Sequence, residues 1–279
     1  MKFRSFKIVV FWLIAISTCL RADNDIPKRI MPLGDSITLG FMSPNKQGSL
    51  NTKLMSGYRN YLWYKLQDAN YTVDFVGSIH AGQDILPQFD PDNEGHIGWT
   101  SYEIAEHTYS SMAANQPNIV LLHAGTNDQP TTNPQGIVDI LNEIDLYENN
   151  FNTHVKVFVA LIIGDLIDGD GIAVFNERLK IILDKRISKG DDIVIVDMFH
   201  NAGLAESDFS DKIHPNNNGY HKMANVWFNA LMQHKEANDN LRTFPSSIVP
   251  TSYIVSVSYD DEHNKVTFTA EIPDDGIQF

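Results

Sequence analysis

Cysteine is almost absent from this chain of 279 residues: Cys19 is the single one. With one cysteine no intramolecular disulfide can form, and removal of the N-terminal run that holds Cys19 would also leave no thiol chemistry. Basic residues are scarce, 21 Lys and Arg against 35 Asp and Glu, for a formal charge of −14. That balance argues against nucleic acid and anionic lipid, both of which reward basic patches, and suits a neutral polymer such as a polysaccharide. No His and Cys cluster has zinc-ligand spacing. Asp165, Asp168 and Asp170 ahead of Gly171 miss the fifth and twelfth positions of an EF-hand and read as a solvated acidic loop. Gly-x-Ser-x-Gly is missing too, which excludes the nucleophile elbow of the α/β-hydrolases. No metal or cofactor is expected.

Long hydrophobic runs are confined to the start. Lys2, Arg4 and Lys7 precede a mostly apolar stretch from Ile8 to Leu20, too short to span a bilayer comfortably. It reads as a secretory signal peptide over residues 1–22, cleaved after Ala22, and predicts a secreted, extracellular protein. A lipoprotein signal with the lipid on Cys19 fits less well, because Thr18 stands where a smaller residue is expected. Asn70-Tyr71-Thr72 is a glycosylation sequon, meaningful only in a eukaryotic secretory pathway.

The remaining chain, 43% hydrophobic, is long enough for one large core. β-branched runs at Arg29–Leu33, Thr72–Val76, Ile119–His123, Val155–Ile162 and Asp192–Asp197 alternate with helical patterns. The helices fall at Tyr58–Gln67, Ser101–Ala113, Ile137–Tyr147, Phe175–Ile187 and Gly219–Met232. Nearly continuous apolar strands alternating with helices predict a three-layer α/β/α domain with a five-stranded parallel sheet, spanning 23–243. Residues 244–279 differ: period-two alternation on either side of Asp260–Asn264 predicts a β-hairpin, either docked on the domain or opening a small β module.

Four segments carry chemistry. Gly34-Asp35-Ser36-Ile37-Thr38 follows the first strand, and Ser36 is either a helix cap or a hydroxyl nucleophile. Asp211-Lys212-Ile213-His214 places a carboxylate within reach of a ring nitrogen; it is either a capping loop or a base with its orienting acid. Gly125-Thr126-Asn127-Asp128 follows the third strand, where Asn127 makes an Asx-turn or donates its amide to an oxyanion. In Glu94-Gly95-His96-Ile97-Gly98-Trp99, Gly98 offers an unobstructed N–H, Trp99 reads as a packing anchor and His96 as a pocket wall or surface residue. Asp35, Asp128 and Arg59 read as structural: caps, turns and a helix ion pair.

These four segments resemble the sequence blocks of the SGNH (GDSL) hydrolase superfamily. Together with Gly57-Tyr58-Arg59, Asp74–Ser78, Pro215-Asn216, Gly219-Tyr220 and Met223-Ala224, they are similar to the acetylxylan esterases of carbohydrate esterase family 3. The resemblance covers Lys28 to Gln233 and implies a flavodoxin-like fold. It also implies a catalytic triad of Ser36, His214 and Asp211, with an oxyanion hole formed by Ser36, Gly98 and Asn127. The activity implied is a serine esterase removing O-acetyl groups from a xylan-like polysaccharide. A lipolytic esterase or lysophospholipase with the same triad is the alternative, as is a non-catalytic carbohydrate-binding protein on an esterase scaffold. Gly164-Asp165 after the fourth strand departs from the family, where proline is common, and predicts a different loop shape there.

Overall fold

The computed structural model describes residues 27–43, 51–167 and 169–235, and the backbone of 254–260 and 265–271. The expected signal segment, with Cys19, and Asp168 lie outside the described residues. In chain order the elements are β1 (Lys28–Asp35), α1 (Ser36–Leu39), α2 (Arg59–Asp68), β2 (Val73–Phe75), β3 (Ile79–His80), β4 (Asp92–His96), α3 (Ser101–Asn115), β5 (Ile119–His123) and α4 (Gln135–Phe151). Then come β6 (Lys156–Leu161), α5 (Gly169–Ile187), β7 (Ile193–Asp197), α6 (Met198–Asn201), α7 (Asn217–Gln233), β8 (Ile254–Asp260) and β9 (Lys265–Glu271).

The five expected strands all form, and their order, β2-β1-β5-β6-β7, is that of a doubly wound parallel sheet. Their side chains alternate between two apolar layers, as strand geometry requires. On one face, Met31, Leu33, Val120, Leu122, Val157 and Val159 pack against Ile104, Ile140, Ile144, Phe175 and Leu179 of α3, α4 and α5. On the other, Ile30, Ile119, Leu121 and Phe158 meet Leu62 and Leu66 of α2 and Met223 and Trp227 of α7. Helix α5 begins at Gly169 rather than Phe175, because Ile172, Phe175, Leu179 and Leu183 continue one buried stripe at helical spacing.

Among the described residues the sheet has seven strands rather than five. Strand β1 pairs with β2 through Lys28–Ile30 and with β4 through Leu33–Asp35, while β3 pairs antiparallel with β4. Pro32, which has no N–H to donate, stands at the handover between β2 and β4. Strand β4 reads Asp-Asn-Glu-Gly-His and has no apolar run, so hydropathy does not reveal it. Its buried polar groups are satisfied internally: the Asn93 amide donates to the Ile79 and Pro91 carbonyls, at 3.2 and 3.0 Å, and its Oδ1 accepts from Gly95 N at 2.9 Å. Strands β8 and β9 pair antiparallel from Ile254↔Glu271 to Asp260↔Lys265, forming the expected hairpin.

Arg59 differs from expectation. It is fully buried and, among the described residues, makes no ion pair; its guanidinium donates to the carbonyls of Thr38, Leu39, Met55, Ala81 and Pro91 at 2.8–3.1 Å. Burial lowers its pKa to about 10, so the cation persists at neutral pH. Nη2 serves three of these carbonyls and Nε and Nη1 one each, so the planar guanidinium ties the end of α1 to the segments behind it in one frame.

Candidate active site

In doubly wound sheets the crevice opens at the carboxyl ends of the strands where the winding reverses. Here that point lies between β1 and β5. The register aligns Gly34 with Gly95 of β4 on one side and with His123 of β5 on the other. The segments leaving these strands, Ser36 onward, Ile97-Gly98-Trp99 and Gly125-Thr126-Asn127, therefore emerge side by side. Gly34 is required at this junction, since a Cβ there would fall 2.0 Å from the His123 carbonyl oxygen and 2.5 Å from Thr38 Oγ1.

Ser36 opens α1, capped by Asp35, whose Oδ1 accepts from Ile37 N at 2.9 Å. Asp35 is fully buried, and its Oδ2 and the Thr126 hydroxyl are each left without a hydrogen bond of normal geometry. Burial pushes the Asp35 carboxyl up to about 7; nearby Asp128 adds to the rise, while the Ile37 and Thr126 donors oppose it. Asp128 itself caps α3 from a distance, accepting from Ser101 N at 2.8 Å and Ser101 Oγ at 2.5 Å.

The base segment arrives from beyond β7. An isolated bridge between Phe209 and Pro215 closes the loop, Ser210 N donates to the His214 carbonyl at 2.8 Å, and Asn216 caps α7. The loop after β6 braces it, with Leu166 N donating to the Lys212 carbonyl at 2.8 Å. In that loop, at the Gly164-Asp165 pair, Asp165 Oδ1 accepts from Ile167 N in an Asx-turn.

Within this frame Ser36, His214 and Asp211 form one hydrogen-bonded chain. Ser36 Oγ lies 2.9 Å from His214 Nε2, and His214 Nδ1 lies 2.9 Å from Asp211 Oδ2. Asp211 Oδ1 accepts from Ile213 N and His214 N at 2.8 and 2.7 Å. Burial opposes ionisation of Asp211, but the two backbone donors and the imidazole outweigh it and hold the carboxyl below its usual range. An ionised Asp211 only accepts, so Nδ1 carries the ring proton and Nε2 is left to accept from the Ser36 hydroxyl. Phe41 meets the imidazole edge-on, with ring centroids 4.5 Å apart, and limits its tilt.

Gly98 has φ +77 and occupies the third position of a turn closed by Trp99 N donating to the His96 carbonyl at 3.4 Å. A Cβ at Gly98 would meet nothing within 4 Å, so the glycine serves the backbone angle rather than clearance. Among the described residues its N–H has no acceptor. Asn127 Nδ2 donates to the Trp99 carbonyl at 2.8 Å, which ties the loops after β4 and β5 together. His96 is neither a bare wall nor a surface residue: it bonds Glu94 at 2.8 Å and stacks on Trp99, with centroids 3.9 Å apart and planes 9° from parallel. The period-two spacing of Glu94 and His96 was a usable signal for that contact, once the segment was read as a strand. Among the described residues no group of three His, Cys, Asp or Glu side chains is arranged to hold a metal, and no helix is long and apolar enough to cross a membrane.

Known proteins resemble this chain in structure or in sequence. A solved family 3 carbohydrate esterase from Clostridium thermocellum is 29% identical and superposes with a TM-score of 0.64, covering 76% of this chain and 98% of its own. A family 3 carbohydrate esterase from Talaromyces cellulolyticus is 27% identical with a TM-score of 0.61, covering 75% and 99%. A multidomain esterase of Ruminococcus flavefaciens is 29% identical over 253 residues; the match takes in 80% of this chain but only 30% of that much longer protein. The GDSL-like lipase/acylhydrolase pattern matches residues 30–227, from β1 into α7 and across the whole crevice, and the chain belongs to that family.

Proposed function

We propose that the chain is a secreted serine esterase that removes O-acetyl groups from carbohydrate, with xylan-like polysaccharide as the substrate class. The observation that carries the reading is the unbroken Ser36–His214–Asp211 chain of 2.9 Å contacts at the switch point of the sheet. Similarity to solved carbohydrate esterases supports the choice of substrate class. In this reading His214 Nε2 takes the Ser36 proton as Oγ bonds to the acetyl carbonyl carbon. The carbonyl electron pair moves onto oxygen, held by the Ser36 and Gly98 N–H groups and the Asn127 amide. Collapse expels the sugar oxygen, which takes the proton from His214 and leaves Ser36 acetylated. Water, deprotonated by His214, then releases acetate and restores Ser36. Residues 23–243 form the catalytic unit, and 244–279 are an appendage to it.

Ser36→Ala should abolish p-nitrophenyl acetate cleavage in a protein that still melts cooperatively; unchanged turnover would remove Ser36 from the chemistry. Acetate release from acetylated xylan, set against acetylated pectin, tests the substrate class. A second reading, as a lipolytic esterase, is favoured by Leu166 and Ile167, which are 43% and 62% exposed beside the base segment. A series of p-nitrophenyl esters from acetyl to decanoyl separates the two, since preference for long chains would eliminate the deacetylase.

A further inference from the structure

Two of the three oxyanion donors in this reading stand outside the long helices and strands, Gly98 in a turn and Asn127 in a single 3-10 turn over Thr126–Asp128. The Gly98 N–H belongs to a turn, and the Asn127 amide could rotate about two side-chain bonds. Something outside the triad has to hold both.

The segment 94–99 supplies it. Glu94 is buried on β4 and accepts from Ser78 N at 2.7 Å and Ser78 Oγ at 2.9 Å. Burial opposes its ionisation, yet His96 and these two donors prevail and keep the carboxyl below its ordinary range. His96 Nε2 bonds Glu94 Oε1 at 2.8 Å, which fixes the plane of the imidazole. The Trp99 indole lies flat on that plane, 3.9 Å away and 9° from parallel. On α3, His107 meets the same indole with a centroid separation of 4.6 Å. A tryptophan so clamped fixes its own backbone, and the Trp99 carbonyl accepts from Asn127 Nδ2 at 2.8 Å.

The amide cannot be turned over, since its oxygen would then face that carbonyl oxygen. One N–H of Asn127 is thus spent on Trp99, and the other is left with a set direction. The same indole anchors the Trp99 N–H that closes the turn holding Gly98 at φ +77.

We propose that Glu94, His96 and Trp99 are positioning residues for oxyanion binding, a relay that runs from the buried carboxylate through the stacked rings to the Asn127 amide and the Gly98 turn. The proposal rests on the esterase reading above and adds to it residues that never touch substrate. A group acting this way stabilises the transition state and leaves ground-state binding alone, so its loss lowers kcat with little change in KM.

The test is a set of His96 variants made in the wild-type and Asn127→Ala backgrounds, assayed with p-nitrophenyl acetate. His96→Phe keeps a ring over Trp99 but loses the bond to Glu94; His96→Ala loses both. The expected kcat order is wild type above H96F above H96A, with H96A down about 10- to 100-fold and KM within about twofold. In the N127A background the order should compress to within about threefold, because residues acting through one another are not additive. Wild-type kcat in both His96 variants, an effect on KM instead, or an order that persists undiminished with N127A would overturn the relay. If H96A does not fold, H96F against wild type in the two backgrounds carries the same comparison. Unchanged kcat in N127A itself would sink the oxyanion assignment of Asn127, whereas a drop in N127A with none in the His96 variants would sink the relay only.

Discussion

Asp211→Asn is the most demanding test of the triad geometry, because the surroundings of Asp211 dictate how the new amide must lie. Asp211 Oδ1 accepts two backbone hydrogen bonds, from Ile213 and His214, at 2.8 and 2.7 Å. An asparagine here has to keep its oxygen on those two donors, since placing its NH2 there would set three donors against one another. The amide nitrogen is thereby driven to the Oδ2 position, 2.9 Å from His214 Nδ1. A donor there requires Nδ1 to accept, so the ring proton moves to Nε2, where it faces the Ser36 hydroxyl. In that tautomer His214 cannot take the serine proton. The shape of the site is unchanged while its proton inventory is inverted, and catalysis should fall by about 10⁴, as for the equivalent tautomer trap elsewhere. In barrier terms that is about 5 kcal/mol. Steady-state hydrolysis of p-nitrophenyl acetate by purified D211N and wild type, with urea unfolding of both, measures it. The expected result is a kcat near the limit of detection with stability close to wild type. A kcat within tenfold of wild type would refute the assignment of Asp211 as the group that fixes the tautomer.

Arg59→Lys replaces five directed donors by three on a point charge and leaves several buried carbonyls unpaired, so it should cost at least about 3 kcal/mol in urea unfolding; a change under about 1 kcal/mol would mean the frame does not depend on the guanidinium. Gly34→Ala drives a Cβ to 2.0 Å from a backbone oxygen, whereas Gly98→Ala meets open space and bears only the positive φ. G98A should therefore lose about 1–2 kcal/mol and G34A clearly more, by thermal melting of both. Asp35 has a folded pKa of about 7, above its unfolded value, so its contribution to stability is fully present below about pH 4 and is lost as pH rises through 7. Asp35→Asn removes that titration, and the stability of wild type relative to D35N should fall by up to about 4 kcal/mol between pH 4 and 8.5; parallel unfolding curves at the two pH values would show that Asp35 does not titrate in this range.

The parts of the fold visible in the sequence are those whose burial is apolar. β5, reading Ile-Val-Leu-Leu-His, and β6, reading Lys-Val-Phe-Val-Ala-Leu, are buried on both faces and so appear as unbroken hydrophobic runs. α4 was legible because Ile137, Ile140, Leu141, Ile144 and Tyr147 share one stripe. β4 was not, because its buried positions are filled by Asn93, Glu94 and Gly95, and hydropathy has no means of scoring a polar group that is fully hydrogen-bonded. Arg59 failed for the same reason. A cation in an amphipathic helix reads as a surface ion pair, and only the fold reveals five carbonyls converging on its position.

For the site, spacing along the chain carried the identities of the groups but not their distances. Asp211 and His214 were legible as a pair because three residues of a turn bring them together whatever the rest of the fold does. Ser36, Gly98 and Asn127 have no such local tie. Their adjacency follows from register alone: Gly34 sits beside Gly95 and beside His123, so the loops that follow leave neighbouring strands about 5 Å apart. That register exists on the β4 side only because β2 ends its pairing at Ile30 and Pro32 lets a different strand take over the flank of β1. The polar strand that hydropathy could not see is therefore the element that delivers Gly98 to the crevice. Its buried Glu94 and stacked His96 then belong to one requirement. A strand with little apolar surface to hold it has to be fixed by hydrogen bonds, and those that fix β4 run on through Trp99 to Asn127.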